Sequence, residues 1–483
     1  MYENAEPVTV LVILVGLALG PFVLKTFLQY WRLRHIPGPW QAKLTDFWLA
    51  RKFWNGEVFP DIAKDLDKKY GSVVAYGPNK VLFSDPAASE SYEVAIQPVN
   101  GKLISTIITE RDEARISMMK KQIISAFSTR AILDYEHHID RNITYLMDRF
   151  ATSEQGNDLN IATWNIFFAM DTICCIAFSD SQGLMERQED IGKTLEAGRE
   201  RFLHWHDWRS LPWLEKLLFK NRWIIRVSNQ KSSSLGGLAT QRLQHRMEKG
   251  GLGSFSDLLD RYMQARENDP STFTPATIMG LVMSTIHAGG ETTSSTINVT
   301  LYYLLVNPRT MAKLKAELSQ INLSSPPSWA EVSKLPYLEA CIKEAGRLRP
   351  LLLDPLEREV PASTGGVEIA GVYVPAGTIV AMNTHALNLD PKVWGDNVHE
   401  FRPERWLDCD EQQLQRMGRA DLFFSGGRRI CVGEHIAWIE MKKYISALLT
   451  RFNIEAVDPN APLQHSGCVN LFVDELLVRL TPL

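Results

Sequence analysis

A glycine-punctuated loop around Cys431 contains the strongest chemical pattern in this chain. Residues 424–433 have the sequence FSGGRRICVG, and the apolar positions that follow keep helical spacing. This predicts that Cys431 lies where a loop becomes a helix. The free N–H groups of a helix start, together with Arg428 and Arg429, should lower the pKa of the thiol and favour the thiolate. A thiolate is a nucleophile or a metal ligand, although a generic cysteine is more often a packed apolar residue.

A second pattern, AGGETT at residues 288–293, lies in the middle of a long helix candidate. Two adjacent glycines inside a helix cost about 1 kcal/mol each relative to alanine. Close packing of another helix would explain them, and so would a flat ligand beneath the helix, with a threonine hydroxyl bonded back to a carbonyl. Ala288, Glu291 and Thr292 share one face, and a hydroxyl backed by a carboxylate can relay protons from water. Four residues before Glu291, His287 could be a metal ligand or a proton donor, but a packed, hydrogen-bonded histidine is the commoner case.

The motif at Phe424, Gly427, Arg429, Cys431 and Gly433 resembles the haem-binding loop of the cytochrome P-450 monooxygenases. The chain is similar to this family along almost its whole length after residue 24. The resemblance implies a single b-type haem with Cys431 as its proximal iron ligand. A trans thiolate of this kind supplies electron density for O–O cleavage.

Two further motifs take their interpretation from the same resemblance. The family's oxygen-binding motif corresponds to Ala288, Glu291 and Thr292, with Glu291 as the acid and Thr292 as the alcohol. Alone, Glu344 and Arg347 would be an ordinary surface pair of little energetic value. The FRPERW sequence at residues 401–406 resembles the family's second arginine motif, which implies a buried structural triad of Glu344, Arg347 and Arg405.

Cations for the haem propionates are less clearly marked. Arg429 and Arg358 are candidates by the resemblance. Family members often carry a tryptophan or histidine four residues before an arginine on an early helix, where this chain has Ile116 and Lys120, so Lys120 is the remaining candidate there. A set of lysines is either plainly solvated or placed where an acidic reductase docks: Lys120, Lys121, Lys442 and Lys443. An apolar set suggests the substrate pocket: Met283, Ala288, Thr292, Leu352, Leu353 and Phe472.

The elements that must position these residues are mostly helices. Thr274 as a cap, Pro275 as the first helical residue and Asn307 before a proline predict a helix about 50 Å long. Residues 73–76 and 80–83 predict a hairpin, and residues 367–369, 372–374 and 379–382 predict a second β region. The expected fold class is mainly α with small β-sheets (α+β), and the resemblance implies the cytochrome P-450 fold.

The overall composition and the N-terminal residues indicate which partners are excluded and where in the cell the protein lies. With a net charge of −4 the 483-residue chain gives no sign of a nucleic-acid partner, and its six cysteines have no disulfide or zinc spacing. Residues 7–24 lack charge, acidic residues precede them and basic ones follow, which predicts a transmembrane helix with the remainder in the cytosol. The expected organisation is a lumenal segment at 1–6, an anchor helix at 7–24, a basic linker and proline-rich hinge at 25–40, and a cytosolic haem-thiolate domain at 41–483.

The resulting functional prediction is a single-pass enzyme of the endoplasmic reticulum membrane. It would use O2 and two electrons from NADPH, delivered by a separate cytochrome P-450 reductase or a cytochrome b-type donor, to oxidise a lipophilic small molecule such as a fungal secondary metabolite. A competing hypothesis is a haem-thiolate isomerase or dehydratase that does not use O2, against which Glu291 and Thr292 argue. A membrane-tethered haem sensor without turnover is a third hypothesis, and a haem-free hydrolase with Cys431 as nucleophile is a fourth.

Overall fold

The computed structural model describes residues 20–21, 23–84, 97–99, 102–104, 107–110, 112–152, 156–227, 234–248, 256–355 and 357–483. The predicted lumenal segment 1–6 and nearly all of the predicted anchor 7–24 lie outside these residues. Residues 20, 21 and 23–32 are helical. Within the described part of the chain, one helix, Ile161–Phe178, is long and apolar enough to cross a membrane, but 94% of it is buried inside the protein. A core helix has these same properties.

Helices make up most of the described chain, as the sequence predicts. In chain order they are α1 (Trp40–Leu44), α2 (Phe47–Trp54), α3 (Phe59–Tyr70), α4 (Glu113–Ile123), α5 (Thr129–Thr152), α6 (Ile161–Phe178), α7 (Leu184–Arg187), α8 (Thr194–Trp208), α9 (Pro212–Phe219), α10 (Arg222–Val227), α11 (Ser234–Glu248), α12 (Leu258–Asn268), α13 (Pro275–Val306), α14 (Pro308–Ser319), α15 (Trp329–Val332), α16 (Pro336–Leu348), α17 (Thr384–Asn388), α18 (Pro391–Trp394), α19 (Glu411–Ala420) and α20 (Glu434–Arg451).

The strands are short and belong to several small sheets. They are β1 (Val73–Gly77), β2 (Lys80–Phe83), β3 (Gln97–Val99), β4 (Lys102–Ile104), β5 (Leu159–Asn160), β6 (Arg358–Glu359), β7 (Gly366–Ile369), β8 (Val372–Pro375), β9 (Ile379–Met382), β10 (Phe452–Ala456), β11 (Gln464–Ser466), β12 (Phe472–Glu475) and β13 (Leu477–Pro482). The sheet orders are β1-β2-β9-β6, β10-β13-β5, β11-β12, β3-β4 and β7-β8.

The first of two compact units consists of the described residues within 1–91, 207–215 and 354–387. The predicted hairpin is confirmed, because β1 and β2 pair antiparallel, and β9 adds to β2 in parallel. The expected β region between residues 367 and 382 is also present as β7, β8 and β9. The segment at 37–39 packs on this sheet: the Ala75 N–H donates to the Pro37 carbonyl at 2.7 Å, and a Cβ at Gly38 would collide with the Ala75 carbonyl. The predicted hinge is therefore held against β1.

The second unit consists of the described residues within 92–206, 216–353 and 388–483 and contains the largest apolar core. Its longest helix, α13, begins as predicted, with Pro275 in the first turn and the Thr274 hydroxyl accepting the Thr277 N–H at 3.2 Å. The helix ends at Val306, one residue before the predicted end. Helix α6 packs along it, and nearly every residue of α6 is buried.

No local pattern in the sequence pointed to the C-terminal sheet of this unit. Strand β10 follows α20 without a turn and pairs antiparallel with β13, which in turn pairs with β5. Because β10 continues directly from a helix and its partner lies farther along the chain, neither a punctuating residue nor a hairpin turn marks it.

Candidate functional site

The loop around Cys431 leads directly into α20, as predicted. The Cys431 N–H donates to the Phe424 carbonyl at 3.0 Å, so the loop closes on itself just before the helix. Gly427 has a φ of +63°, a left-handed conformation that side chains other than glycine adopt at a cost. Gly433 is the N-cap residue of α20, and its carbonyl accepts the Ala437 N–H at 3.0 Å. The glycines thus shape the turn that presents the cysteine.

Cys431 is the one exposed cysteine of the six in the chain, since four are buried and Cys409 is half-buried. The expectation of a low thiol pKa is wrong for the protein alone. Burial of the Sγ environment raises the pKa of the Cys431 thiol, although hydrogen bonds from the backbone N–H groups of Gly433 and Glu434 oppose the rise. Arg429 was expected to lower the thiol pKa, but its guanidinium pairs with Glu113. The side chain of Arg428 lies outside the described residues.

Arg429 is bound to the start of α4. Its Nε and Nη2 donate to Glu113 Oε1 at 2.9 and 2.7 Å, and Nη2 also donates to the Glu110 carbonyl at 3.1 Å. This pairing joins residues more than three hundred positions apart. It anchors the loop to α4, so any contact of Arg429 with a propionate would share the guanidinium with Glu113.

The middle of α13 has an open face and a packed face. The Thr292 hydroxyl donates to the Ala288 carbonyl at 2.7 Å, the back-bond expected from the sequence. Ala288 is exposed and Thr292 is half-buried, although most residues of α13 from position 290 onward are buried. The two glycines face α6: a Cβ at Gly290 would lie 3.1 Å from Met170, and one at Gly289 would collide with Ile173. Close helix packing therefore explains both glycines.

The Glu291 carboxylate lies next to an arginine of α8. Its Oε1 lies 3.6 Å from Nε of Arg199, which also pairs with Asp474 at 3.1 Å. Burial raises the pKa of Glu291 to about 7, although Arg199 opposes the rise. The carboxyl can therefore gain or lose a proton near neutral pH, a property that the sequence did not indicate.

His287 is a packed histidine and not an exposed ligand or proton donor. Its ring stacks on Phe202 at a centroid distance of 4.4 Å. Its Nε2 is buried without a hydrogen-bond partner among the described residues. Burial lowers the pKa of His287 well below its usual value, and Arg201 lowers it further. The imidazole is neutral at neutral pH, which argues against a role as a cationic proton donor.

A small, partly open pocket with about 40 Å³ of free space lies against α6, α8, α11 and α13. Its lining combines apolar and ionisable side chains: Met170, Thr194, Leu195, Ala197, Gly198, Arg201, Phe202, Leu235, Ile286, His287 and Glu291. None of the residues predicted to contact the substrate is in this lining. Phe472 packs behind it, with its ring centroid 5.7 Å from that of Phe202. Met283 is completely buried in the core, and neither Leu352 nor Leu353 lines this pocket. Substrate contact by these residues stays a prediction.

The structure brings Glu344, Arg347 and Arg405 together in a buried cluster. Glu344 accepts from Arg347 Nε and Nη2 at 2.9 and 2.8 Å and from Arg405 Nε at 2.8 Å. Trp406 Nε1, which the sequence did not single out, donates to the same carboxylate at 3.0 Å. The remaining arginine donors reach backbone carbonyls of residues 388–400. The cluster thus fixes a long irregular segment to α16.

A glycine links this helix to the cysteine loop. Gly346 lies between Glu344 and Arg347 on α16, and a Cβ there would lie 2.5 Å from the Phe423 ring. Phe423 in turn contacts Phe424 at a centroid distance of 4.6 Å. The buried cluster and the loop are therefore coupled by packing.

The four lysines considered for docking divide into two pairs. Lys442 and Lys443 are buried: Lys442 pairs with Glu339 at 2.7 Å, and Lys443 pairs with Asp140 at 2.5 Å and with Glu136. Neither is accessible to a partner, so a docking role for these two is wrong. Lys121 is exposed, and Lys120 Nζ donates to the Ile430 carbonyl at 3.4 Å, next to Cys431. Arg358 lies on β6 in the first unit, and its propionate role stays a prediction.

Comparison with known proteins decides the family. Residues 83–472 match the family model described as Cytochrome P-450. The chain belongs to the cytochrome P-450 family. The cytochrome P-450 monooxygenase cicH of Emericella nidulans is 34% identical, covering 92% of this chain and 94% of its own length. A cytochrome P-450 monooxygenase of Aspergillus terreus is 33% identical over 94% and 96%, and mfmA of Annulohypoxylon moriforme is 31% identical over 92% of both chains.

Membership makes this cytochrome P-450 a fungal-type monooxygenase, an oxidoreductase of a family whose cofactor is haem with a thiolate-bound iron. The residues around Cys431 and on α13 fit that group. Cys431 is an exposed residue and a soft sulfur ligand, and the exposed Ala288 lies among small residues of α13. Within the described part of the chain, no group of three or more His, Cys, Asp or Glu could hold a bare metal ion. An iron held by a porphyrin needs only one such protein ligand.

Proposed function

We propose that this cytochrome P-450 binds one b-type haem through Cys431 and hydroxylates or otherwise oxidises a lipophilic small molecule. The observation that supports it most is the position of Cys431, an exposed residue, at the loop-to-helix junction. A cysteine binds a metal as its thiolate, so iron binding would release the proton of the Cys431 thiol although burial raises its pKa. The remaining proposed haem contacts are Phe424, Gly427, Arg429, Gly433, Ala288, Arg358 and Lys120.

The reaction inserts one atom of O2 into a C–H bond as a hydroxyl, while the other atom leaves as water. Two electrons and two protons complete the balance. When bound, haem supplies the iron that activates O2, and the Cys431 thiolate adds electron density to that iron. The part of the protein is then to hold the substrate, exclude water and deliver protons.

Proton delivery is assigned to Glu291 and Thr292. With a pKa of about 7, Glu291 is partly protonated at neutral pH and can replenish a proton from water. The Thr292 hydroxyl donates its proton to the Ala288 carbonyl, and its oxygen can still accept a hydrogen bond. To pass a proton on, the hydroxyl has to leave that carbonyl. Because the two side chains point to different partners, a water molecule or a rotation of one side chain has to connect them.

The electron donor and the cellular location complete the proposal. We expect two electrons from NADPH through a separate cytochrome P-450 reductase, with a cytochrome b-type protein as a second candidate donor; the family generally uses such redox partners. The uncharged stretch at residues 7–24, with basic residues after it, supports a single span of the endoplasmic reticulum membrane and a cytosolic catalytic part. A fungal secondary metabolite is the expected kind of substrate.

The difference spectrum of the reduced protein treated with carbon monoxide tests the ligand assignment. The purified protein should show the thiolate-haem band, and Cys431→Ala should abolish it. Cys409→Ala is the matched control, since that half-buried cysteine has no part in the proposal. An unchanged spectrum in Cys431→Ala would remove the basis of the assignment. Substrate-dependent NADPH consumption with added reductase then tests the electron donor.

A further inference from the structure

Glu113, the first residue of α4, holds the loop that bears Cys431 through an arginine of that loop. Arg429 donates from Nε and Nη2 to one oxygen of the Glu113 carboxylate, at 2.9 and 2.7 Å. The side chain of Arg429 is only 10% exposed. A nearly buried guanidinium needs an acidic partner, because a buried charge without one is strongly destabilising. Glu113 supplies that partner from a distant part of the chain.

The cap of α4 fixes the acceptors that Arg429 uses. Asp112 is the N-cap residue, and its carboxylate accepts the backbone N–H groups of Ala114 and Arg115 at 2.9 and 3.2 Å. Such a cap orders the first helical turn. Arg429 also donates to the Glu110 carbonyl at 3.1 Å, just before this cap. The guanidinium therefore binds a carboxylate and a carbonyl that the start of α4 holds in place.

Lys120 makes a second contact from α4 to the same loop. Its Nζ donates to the Ile430 carbonyl at 3.4 Å, one residue before Cys431. Glu113, Ile116 and Lys120 are spaced three and four residues apart, which places them on one face of α4. Ile116 is buried. This face thus contacts the loop with an acid at one end and a base about two turns later.

Charges beside a metal ligand change how easily the metal is reduced. Reduction adds an electron, so a nearby negative charge opposes it and a positive charge favours it. Arg429 lies two residues before Cys431, and the Glu113 carboxylate offsets its positive charge. The hydrogen bonds to Glu113 use Nε and Nη2, which leaves Nη1 of Arg429 for a haem propionate. One guanidinium would then serve two anions, and their net negative charge favours oxidised iron.

We propose that Glu113 is a positioning residue of the haem-thiolate site. Its carboxylate holds Arg429 and the Cys431 loop against α4, and it lowers the reduction potential of the bound iron by offsetting the charge of Arg429. This assignment rests on the proposed function, because it concerns the same haem site. Glu113 touches neither substrate nor iron in it and acts through Arg429. The sequence motifs did not single this residue out.

Redox titration of the haem-loaded full-length protein, followed by its absorbance, tests the assignment without turnover. Glu113→Gln removes the charge, but its amide oxygen can still accept from Arg429. The equilibrium constant for reduction of the iron should rise about two- to tenfold, the effect of one partly screened charge. At about 59 mV per tenfold change this is a shift of roughly 20 to 60 mV to more positive potential. Glu110→Gln is the matched control and should shift the potential clearly less, because that carboxylate pairs with Arg115 at 3.4 Å.

Lys120→Gln distinguishes a change of charge from a loosened loop. It removes a positive charge beside the loop, so the potential should move to more negative values, opposite to Glu113→Gln. A loop that is merely loosened would move the potential in the same direction in both variants. An unchanged or more negative potential in Glu113→Gln, or shifts of the same sign in the two variants, would overturn the proposal.

The rate at which haem is lost to excess apomyoglobin gives a second readout. Glu113→Ala removes the acceptor as well as the charge, so it should lose haem faster than wild type, whereas Glu113→Gln should stay close to wild type. Equal rates in wild type and Glu113→Ala would show that the pair does not hold the loop, and the proposal would be wrong. The carbon monoxide spectrum separates the two levels. A missing thiolate-haem band in wild type means that the proposed function has failed, and an intact band with an unchanged potential in Glu113→Gln means that only the role of Glu113 has failed.

Discussion

Glu291 lies 3.6 Å from Nε of Arg199, yet burial still raises its pKa to about 7. The ion pair is too weak to keep the carboxyl ionised because the Arg199 side chain is 37% exposed and shared with Asp474. Glu291, by contrast, is almost completely buried. Burial and the charge of Arg199 together therefore set the pH at which Glu291 changes its protonation state.

Removal of Arg199 should shift the pH profile of the enzyme. A carboxyl that donates a proton must be protonated, so substrate oxidation is expected to fall as pH rises through about 7 in wild type. Arg199→Gln removes the charge that lowers the pKa of Glu291, and the fall should move to higher pH. Glu291→Gln should remove this inflection and lower the rate about a hundredfold. Product formation measured across a pH series checks both.

Arg187→Gln provides the control for charge alone, since this arginine is exposed and lies outside the pocket. Its profile should coincide with that of wild type. A profile in Arg199→Gln that also coincides with wild type would show that the ion pair does not tune the acid.

The buried cluster around Glu344 should dominate local stability. Glu344→Gln or Arg405→Met leaves buried charged groups without their partner, which costs about 3 to 5 kcal/mol. Trp406→Phe removes one hydrogen bond to the same carboxylate and should cost about 1 to 2 kcal/mol. Lys313→Met breaks an exposed pair with Glu404 and should change stability by less than about 1 kcal/mol. Denaturant unfolding of the haem-loaded protein measures all four, and equal effects of Arg405→Met and Lys313→Met would contradict this account.

The sequence predicted those helix starts and turns that depend on a few neighbouring residues. The Thr274 cap and Pro275 marked the start of α13, and Gly77–Asn79 marked the β1–β2 hairpin, because caps and turns depend on a few neighbouring residues. Strands β10 and β13 were not predicted, since their pairing is decided by partners elsewhere in the chain. The contribution of β9 to the first sheet as a parallel neighbour of β2 is of the same kind.

In the candidate site too, features that depend on neighbouring residues were predicted and features that depend on distant partners were not. The loop bearing Cys431 and the Thr292 back-bond follow from local sequence and were predicted. The burial of Lys442 and Lys443 was not, because the acids that accept them, Glu339, Glu136 and Asp140, come from distant helices.

The two glycines of α13 give a direct test of helix packing. Gly289→Ala should gain about 1 kcal/mol of helix propensity but lose more, because the new Cβ collides with Ile173 on α6. The expected net loss is about 1 to 3 kcal/mol. Ile173→Ala removes the colliding atoms, so the double variant should be more stable than the sum of the single effects predicts. Gly418→Ala on α19, where a Cβ meets no atom within 4 Å, should instead be neutral or stabilising, and thermal unfolding compares the set.

Glu440 on α20 is a buried acid without a cation among the described residues. Its Oε2 has no hydrogen-bond partner in that part of the chain, and burial raises the pKa of Glu440 well above its usual value. The folded protein therefore keeps this carboxyl protonated, whereas in the unfolded chain it ionises near pH 4.5. Because the folded state binds the extra proton above that pH, the contribution of Glu440 to stability falls as pH rises.

Glu440→Gln replaces the protonated acid with a neutral group of the same shape and does not titrate. The variant should match wild type near pH 4.5 and become progressively more stable than wild type as pH rises towards 8, since only wild type has to keep a proton on a buried acid. Melting temperatures of the haem-loaded proteins across this range give the measurement. The exposed Glu248→Gln should show a constant difference from wild type throughout. A constant difference for Glu440→Gln as well would mean that Glu440 is ionised in the folded protein, and hence that water or a cation reaches it.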